Sequence, residues 1–263
     1  MKPLNTYLYL AAIYVLVTAA GLHVGSTLTA QIREGAILPA VPEGDNPKTS
    51  VSIFAYVLVF TAVLLVLFKL GLDFIIQLFT YVALYVGVLI TFTAFIGDAG
   101  LLASAAYYLT ALYLRKTAHI MNLTLALTVA GIGGFLGASL AVFPALLLLL
   151  ILSAYDLIAV FGTKHMITLA EKSKDRIPFM FLVPAEDRHL GLGTGDLTLP
   201  LVFTVSVLRD YALTNAIATA AGGLIGLTAL YAYILKKGHV TLPALPPIAI
   251  GLFAGYTTSL VIF

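Results

Sequence analysis

Apolar residues in this chain come in blocks of about twenty, one after another, with nearly every charge confined to the gaps between them. A helix needs about 20 mostly apolar residues to cross the hydrocarbon core of a bilayer. Nine blocks qualify: 4–22, 51–68, 74–97, 99–114, 120–142, 143–162, 190–208, 211–235 and 242–263. Only Asp98 parts the third from the fourth, and nothing polar parts the fifth from the sixth. Pro144 marks the second break, because proline suits the first turn of a helix and not its interior. The expected fold class is therefore an all-α membrane protein of nine transmembrane helices, with residues 1–263 forming a single integral membrane domain. The chain is 61% hydrophobic and 10% charged, against about 25% charged in a typical soluble domain. That balance excludes a soluble globular domain, a disordered chain and a basic nucleic-acid binder. With no cysteine, disulfides, thiolate metal sites and a cysteine nucleophile are excluded as well.

The first block has small residues at Thr18, Ala19 and Ala20, as a signal peptide would. Its apolar stretch is longer than a usual signal-peptide core and only Lys2 precedes it, so it reads as a retained span. The distribution of lysine and arginine sets the orientation. With the N-terminus in the cytoplasm, the inner side holds Lys2, Lys69, Arg115, Lys116, Lys164, Lys172, Lys174, Arg176, Arg188, Lys236 and Lys237, and the outer side only Arg33, Lys48 and Arg209. Nine spans then leave the C-terminus outside, in a multi-pass protein of the cell membrane. Two connections exceed a turn. Residues 23–50, with Pro39, Pro42 and Pro47, are expected as a polar loop on the outer surface. The cytoplasmic connection 163–189 mixes Met166, Ile167 and Leu169 with Lys172, Lys174 and Arg176. It reads equally as an amphipathic helix on the anionic inner leaflet and as an ordinary charged loop.

Of the 12 acidic residues, two fall inside apolar blocks: Asp156 and Asp196. A charge at the centre of a span costs roughly 2.5–3.5 kcal/mol even on the lenient insertion scale, so such residues are candidates for function. Asp156 precedes the cytoplasmic end of the sixth block by six residues, and Asp196 follows the cytoplasmic start of the seventh by six. Each distance is about 9 Å of helix, which places the two carboxyls at one depth on consecutive antiparallel spans. Two carboxylates in contact share a proton and titrate as a pair. One then serves as base and the other as acid around a water that attacks an amide, with no metal or other cofactor needed. Depth alone leaves peptide hydrolysis level with proton or cation transport, and above a structural role in which each acid bonds a neighbour.

Gly191, Gly193 and Gly195 lead into Asp196. They are expected to loosen the helix start and let an extended peptide approach its backbone, or to serve only as small-residue packing. Gly131, Gly133, Gly134 and Gly137 read as packing. Tyr155 points about 100° from Asp156 on an ideal helix and reads equally as a wall and as a hydrogen-bond donor. The ninth block opens with Pro243, Pro246 and Pro247, which remove backbone donors and resist helix. Irregular backbone at membrane depth survives only when buried in protein or facing water.

Tyr155-Asp156, Gly193-Thr194-Gly195-Asp196 and Pro243-Ala244-Leu245-Pro246 together resemble the signature of the presenilin and signal peptide peptidase family. That family carries YD, GxGD and PALP, in this order, on the sixth, seventh and ninth of nine spans. Each motif alone is weak, and the three on these spans are specific. The inside placement of the acid-bearing loop resembles presenilin, since signal peptide peptidases are inverted, and the compact length resembles the archaeal homologues of presenilin. The resemblance implies a presenilin-like fold and an intramembrane aspartyl endopeptidase with Asp156 and Asp196 as the catalytic pair. It also implies Tyr155, Gly193, Thr194, Gly195, Pro243, Ala244, Leu245 and Pro246 as the residues that shape the site and the substrate-binding edge. Substrates of the family are single transmembrane helices, which must unwind before an amide is reachable. The apolar, β-prone stretch 177–183 is expected either to pair with the unwound substrate as a strand or to be a membrane-facing loop. Presenilin needs partner subunits and is cleaved in a long loop, whereas the connection here is short. The partners implied are transmembrane peptides and the lipid bilayer, with no nucleic acid, and a homo-oligomer is compatible with the sequence. The competing functions are a proton-coupled secondary transporter, which requires a symmetry-related second set of broken helices, and a prepilin- or preflagellin-type aspartyl peptidase, whose family shares GxGD.

Overall fold

The computed structural model describes residues 3–159, 180–184, 189–237 and 243–263. Nine helices are described: α1 Pro3–Arg33, α2 Pro47–Lys69, α3 Asp73–Ile96, α4 Ala99–Tyr113, α5 Ala118–Ser139, α6 Val142–Ile158, α7 Gly195–Asp210, α8 Leu213–Lys237 and α9 Leu245–Ile262. Between α6 and α7 lie two strands, β1 Met180–Pro184 and β2 His189–Gly193, paired antiparallel with Leu182 opposite Gly191. The expected amphipathic segment at 164–176 lies outside the described residues.

The helix ends follow local chemistry. Asn46 caps α2, its side chain accepting from the Lys48 N–H at 3.0 Å, and Pro47 stands at the first helical position. Gly97, with φ of 59°, turns the chain between α3 and α4, a left-handed conformation that costs glycine nothing. Asp98 forms the start of α4 there. The break between the fifth and sixth blocks falls at residues 140–141, and Pro144 occupies the first turn of α6.

Six of the nine described helices, α1, α2, α3, α5, α8 and α9, are long and apolar enough to cross a membrane. The other three have 15, 17 and 16 residues, or about 22–26 Å at 1.5 Å per residue. For α4 and α7 that is short of a hydrocarbon core about 30 Å thick, whereas the described part of this region ends at residue 159, just past α6. Two of these three, α6 and α7, carry the acids. The core forms around α5 and α7, with α1 and α3 against α5. Close packing there needs small residues, as transmembrane interfaces do. A Cβ on Gly137 would stand 2.7 Å from the Val202 carbonyl oxygen of α7. The outermost helix is α2, in which only Ser50 is buried.

Three expectations are corrected. The first helix does not end at residue 22 but continues to Arg33, so the polar outer connection begins later and shrinks to 34–46. Residues 189–193 are strand rather than the first turns of the seventh span, because Leu and Gly alternate there with the two-residue period of a strand. The last helix starts at Leu245, not at 242, with Ala244 as its cap.

Candidate active site

Asp156 stands in the last turn of α6 and Asp196 in the first turn of α7. The two helices pack directly on each other, and each acid is half-buried. Their carboxylates are close enough for the charge of Asp156 to act on Asp196. Asp196 is reached by a different route from the one the apolar pattern suggests. Asp196 is not six residues into a helix; a strand carries the chain inward, and the helix begins beside the acid.

Each carboxylate meets one backbone N–H. Leu245, the first residue of α9, donates to Asp156. Gly193, the last residue of β2, donates to Asp196. Both acids therefore sit at helix N-termini, Asp156 at that of α9 and Asp196 at that of its own helix. Unpaired amides and the helix dipole there favour a negative charge, which offsets part of the cost of holding one inside a membrane protein. Asp156 Oδ2 is buried and, among the described residues, makes no hydrogen bond.

The remaining sequence-chosen residues divide by what they touch. Tyr155 packs edge-on against Phe54 of α2, with ring centroids 5.9 Å apart. Gly193 is tight against Asp196: a Cβ there would meet Oδ2 at 2.9 Å. Thr194 caps α7, its carbonyl accepting from the Thr198 N–H at 2.9 Å and hydroxyl at 2.8 Å. Gly195 is exposed, and a Cβ there would meet nothing within 4 Å, so it leaves open space in front of the acid. Pro243 and Ala244 are buried before α9, and Pro246 lies half-buried in its first turn. The proline-rich segment thus aims its first amide at Asp156, while Ala244 and Asp196 line one cavity of about 120 Å³. Leu10, Val183, Gly191, Leu192 and Leu227 complete much of its wall.

Residues passed over in the sequence hold the hairpin. Asn122 of α5 is buried, donates to the Leu182 carbonyl at 2.8 Å and accepts from the Leu182 N–H at 3.0 Å. The Thr6 hydroxyl of α1 donates to the Pro184 carbonyl at 2.9 Å. The sequence carries a signal for this: a buried amide near the end of an otherwise apolar span needs a partner.

The description "Signal-peptide peptidase, presenilin aspartyl protease" belongs to a family model that matches residues 11–191. The chain belongs to that family. The matched stretch includes Asp156 and ends before Asp196. Similarity to solved structures extends over the rest. A presenilin family intramembrane aspartate protease in a C222 crystal form aligns with a TM-score of 0.73 and 25% identity, covering 98% of this chain and 99% of that one. A structure from a P2 crystal form gives 0.71 and 26%, covering 96% and 97%. No curated protein matches the chain. This is an all-α, presenilin-like membrane protein of the aspartyl protease family, and such proteases act on transmembrane substrates within the membrane.

Proposed function

We infer that the chain is a GxGD-type intramembrane aspartic endopeptidase that hydrolyses peptide bonds within transmembrane helices, with Asp156 and Asp196 as its catalytic pair. The observation that carries this reading is the pair itself: two half-buried carboxylates on adjacent helices, each held by one backbone amide at a helix N-terminus. One carboxyl, ionised, takes a proton from water as that water adds to the scissile carbonyl. The other, protonated, donates to the carbonyl oxygen. Collapse of the tetrahedral adduct breaks the C–N bond: the leaving amine takes the proton gained by the first acid, and a hydroxyl of the adduct returns its proton to the second. Reading the same pair as a proton relay for transport finds no support among the described residues, where no symmetry-related second set of broken helices accompanies this one.

The substrate has to be extended to present its amide, and β2 supplies the template. In an antiparallel pair, opposed residues either exchange both hydrogen bonds or point both groups outward. Leu182 spends its N–H and carbonyl on Asn122, so Leu182 and its opposite number Gly191 form an outward-pointing pair. Gly193, two residues on, points the same way, and its N–H meets Asp196. The outer edge of β2, which no described residue pairs, therefore runs to the acid, and a strand added there delivers its backbone to the pair. Of the 177–183 stretch, expected either as a strand for the substrate or as a membrane-facing loop, residues 180–183 lie in β1, the strand paired with β2.

Purified protein in detergent is expected to cut a model single-span peptide inside its apolar stretch, with the products identified by mass. Failure to cut any such peptide overturns the reading. Gly193→Ala is expected to lower kcat/KM by about 10²-fold, the order of loss for a reacting group misplaced by about 1 Å, with thermal unfolding little changed. Unaltered cleavage would show that Asp196 has room to move. We further place the N-terminus and the acid-bearing ends of α6 and α7 on the cytoplasmic side, following the positive charges. Gly195→Cys in this cysteine-free chain should then react with a membrane-impermeant thiol reagent added from the cytoplasm; labelling only from outside inverts the topology.

A further inference from the structure

The hairpin has two edges, and among the described residues only that of β1 is covered. On β1, the outward-pointing positions are Leu182 and Pro184, which oppose Gly191 and His189. Asn122 brackets Leu182 with both halves of its side-chain amide, as a neighbouring strand would. Its second N–H goes to the Tyr9 hydroxyl at 3.0 Å, and that hydroxyl meets His119 Nδ1 at 3.2 Å. The amide is thus used in full and held from both sides. Pro184 has no N–H to offer, and its carbonyl takes the Thr6 hydroxyl. Thr6 and Asn122 are 2% and 5% exposed, so both bonds are made away from solvent, where an unmade partner is costly. The two come from different helices, α1 and α5, and reach successive outward positions of one strand. Across the hairpin, Gly191 is exposed.

We propose that Asn122 and Thr6 are positioning residues that close the β1 edge, so that an extended substrate pairs only with β2 and in one register. This rests on the protease reading above. Unpaired strand edges accept any passing strand, and proteins block the wrong ones. A substrate paired to β1 would lie with β2 between itself and Asp196. One sliding along a loosely held β2 would present its bonds to the acids in several registers. Fixing β1 to two core helices fixes β2 through the ladder, and with it the position of the scissile bond.

The test compares the parent, Thr6→Val, Thr6→Ser and Asn122→Leu on one single-span peptide in detergent, reading kcat, KM and the mass of every product. Thr6→Val and Asn122→Leu are expected to raise KM several-fold and to add products cut one or two residues from the parent's site. Thr6→Ser, which keeps the hydroxyl, should restore the parent's product pattern. A merely structural role would lower the amount of active enzyme and leave the ratio of products alone. If the parent cuts and Thr6→Val gives the parent's products in the parent's ratio, the edge-closing role is wrong, even when its kcat falls. If Asn122→Leu does not fold, Thr6→Val against Thr6→Ser decides alone. If the parent cuts nothing, it is the protease reading that fails first, and this inference falls with it.

Discussion

Asp156→Asn and Asp196→Asn each reduce cleavage of a transmembrane peptide to background, by at least the 10²–10⁴-fold that one positioned acid or base supplies. The amide keeps the shape of the side chain and removes the titrating proton, so neither variant can run a cycle in which one carboxyl accepts a proton while the other donates. Folding should not suffer. Each carboxylate costs stability in an apolar helix, and Asp156 Oδ2 makes no bond among the described residues that an amide would lose. Thermal unfolding in detergent is expected at or above the parent's temperature. Measurable turnover by either variant, in protein free of parent enzyme, would remove that residue from the catalytic pair. Loss of folding in both would mean that the carboxylates serve structure.

The second large effect is expected from Pro243→Ala combined with Pro246→Ala. Neither proline titrates, so any change must come through the backbone. Ala244 already has helical angles, φ of −85° and ψ of −29°, and Pro243 stands just outside the helix. Removing both prolines lets α9 grow by up to a turn, about 5 Å. The Leu245 N–H then turns to a helical carbonyl instead of Asp156, and the added turn enters the space beside Ala244 that borders the cavity shared with Asp196. Cleavage should fall by about 10²-fold or more, the order expected when a reacting group is misplaced by about 1 Å. Circular dichroism should gain helix and unfolding should remain cooperative. Turnover equal to the parent's would reduce the segment to an ordinary helix start.

The two acids and the proline-rich segment were conspicuous in the sequence because they violate the rule of their surroundings: charge and helix-breakers inside apolar runs. The nine described helices are conspicuous for the same reason in reverse, as long runs that obey one rule. What escaped notice obeys a local rule on a smaller scale. His189-Leu-Gly-Leu-Gly193 is an apolar stretch continuous with a span, so a window of about 20 residues absorbs it, although its period of two is that of a strand. Its partner 180–184 is separated from it by residues that carry no hairpin signal such as Asn-Gly. Asn122 and Thr6 were invisible for another reason: nothing in a linear sequence says which backbone a buried amide or hydroxyl will face 60 or 178 residues away. At Gly195 a side chain would point into open space, whereas at Gly193 it would meet Asp196. Identity of residue type did not separate these roles; the switch from strand to helix between 193 and 195 did.

The outer edge of β2 also bears on where the reactant water comes from. Hydrocarbon offers no hydrogen bonds, so backbone left unpaired at membrane depth persists only where water reaches it. On the protease reading, the β2 edge, which no described residue pairs, would be such a wet site beside Asp196. A docked substrate would dry most of that edge and leave the remainder next to the acids. One strand edge would then admit both reagents of the hydrolysis, the extended peptide and the water.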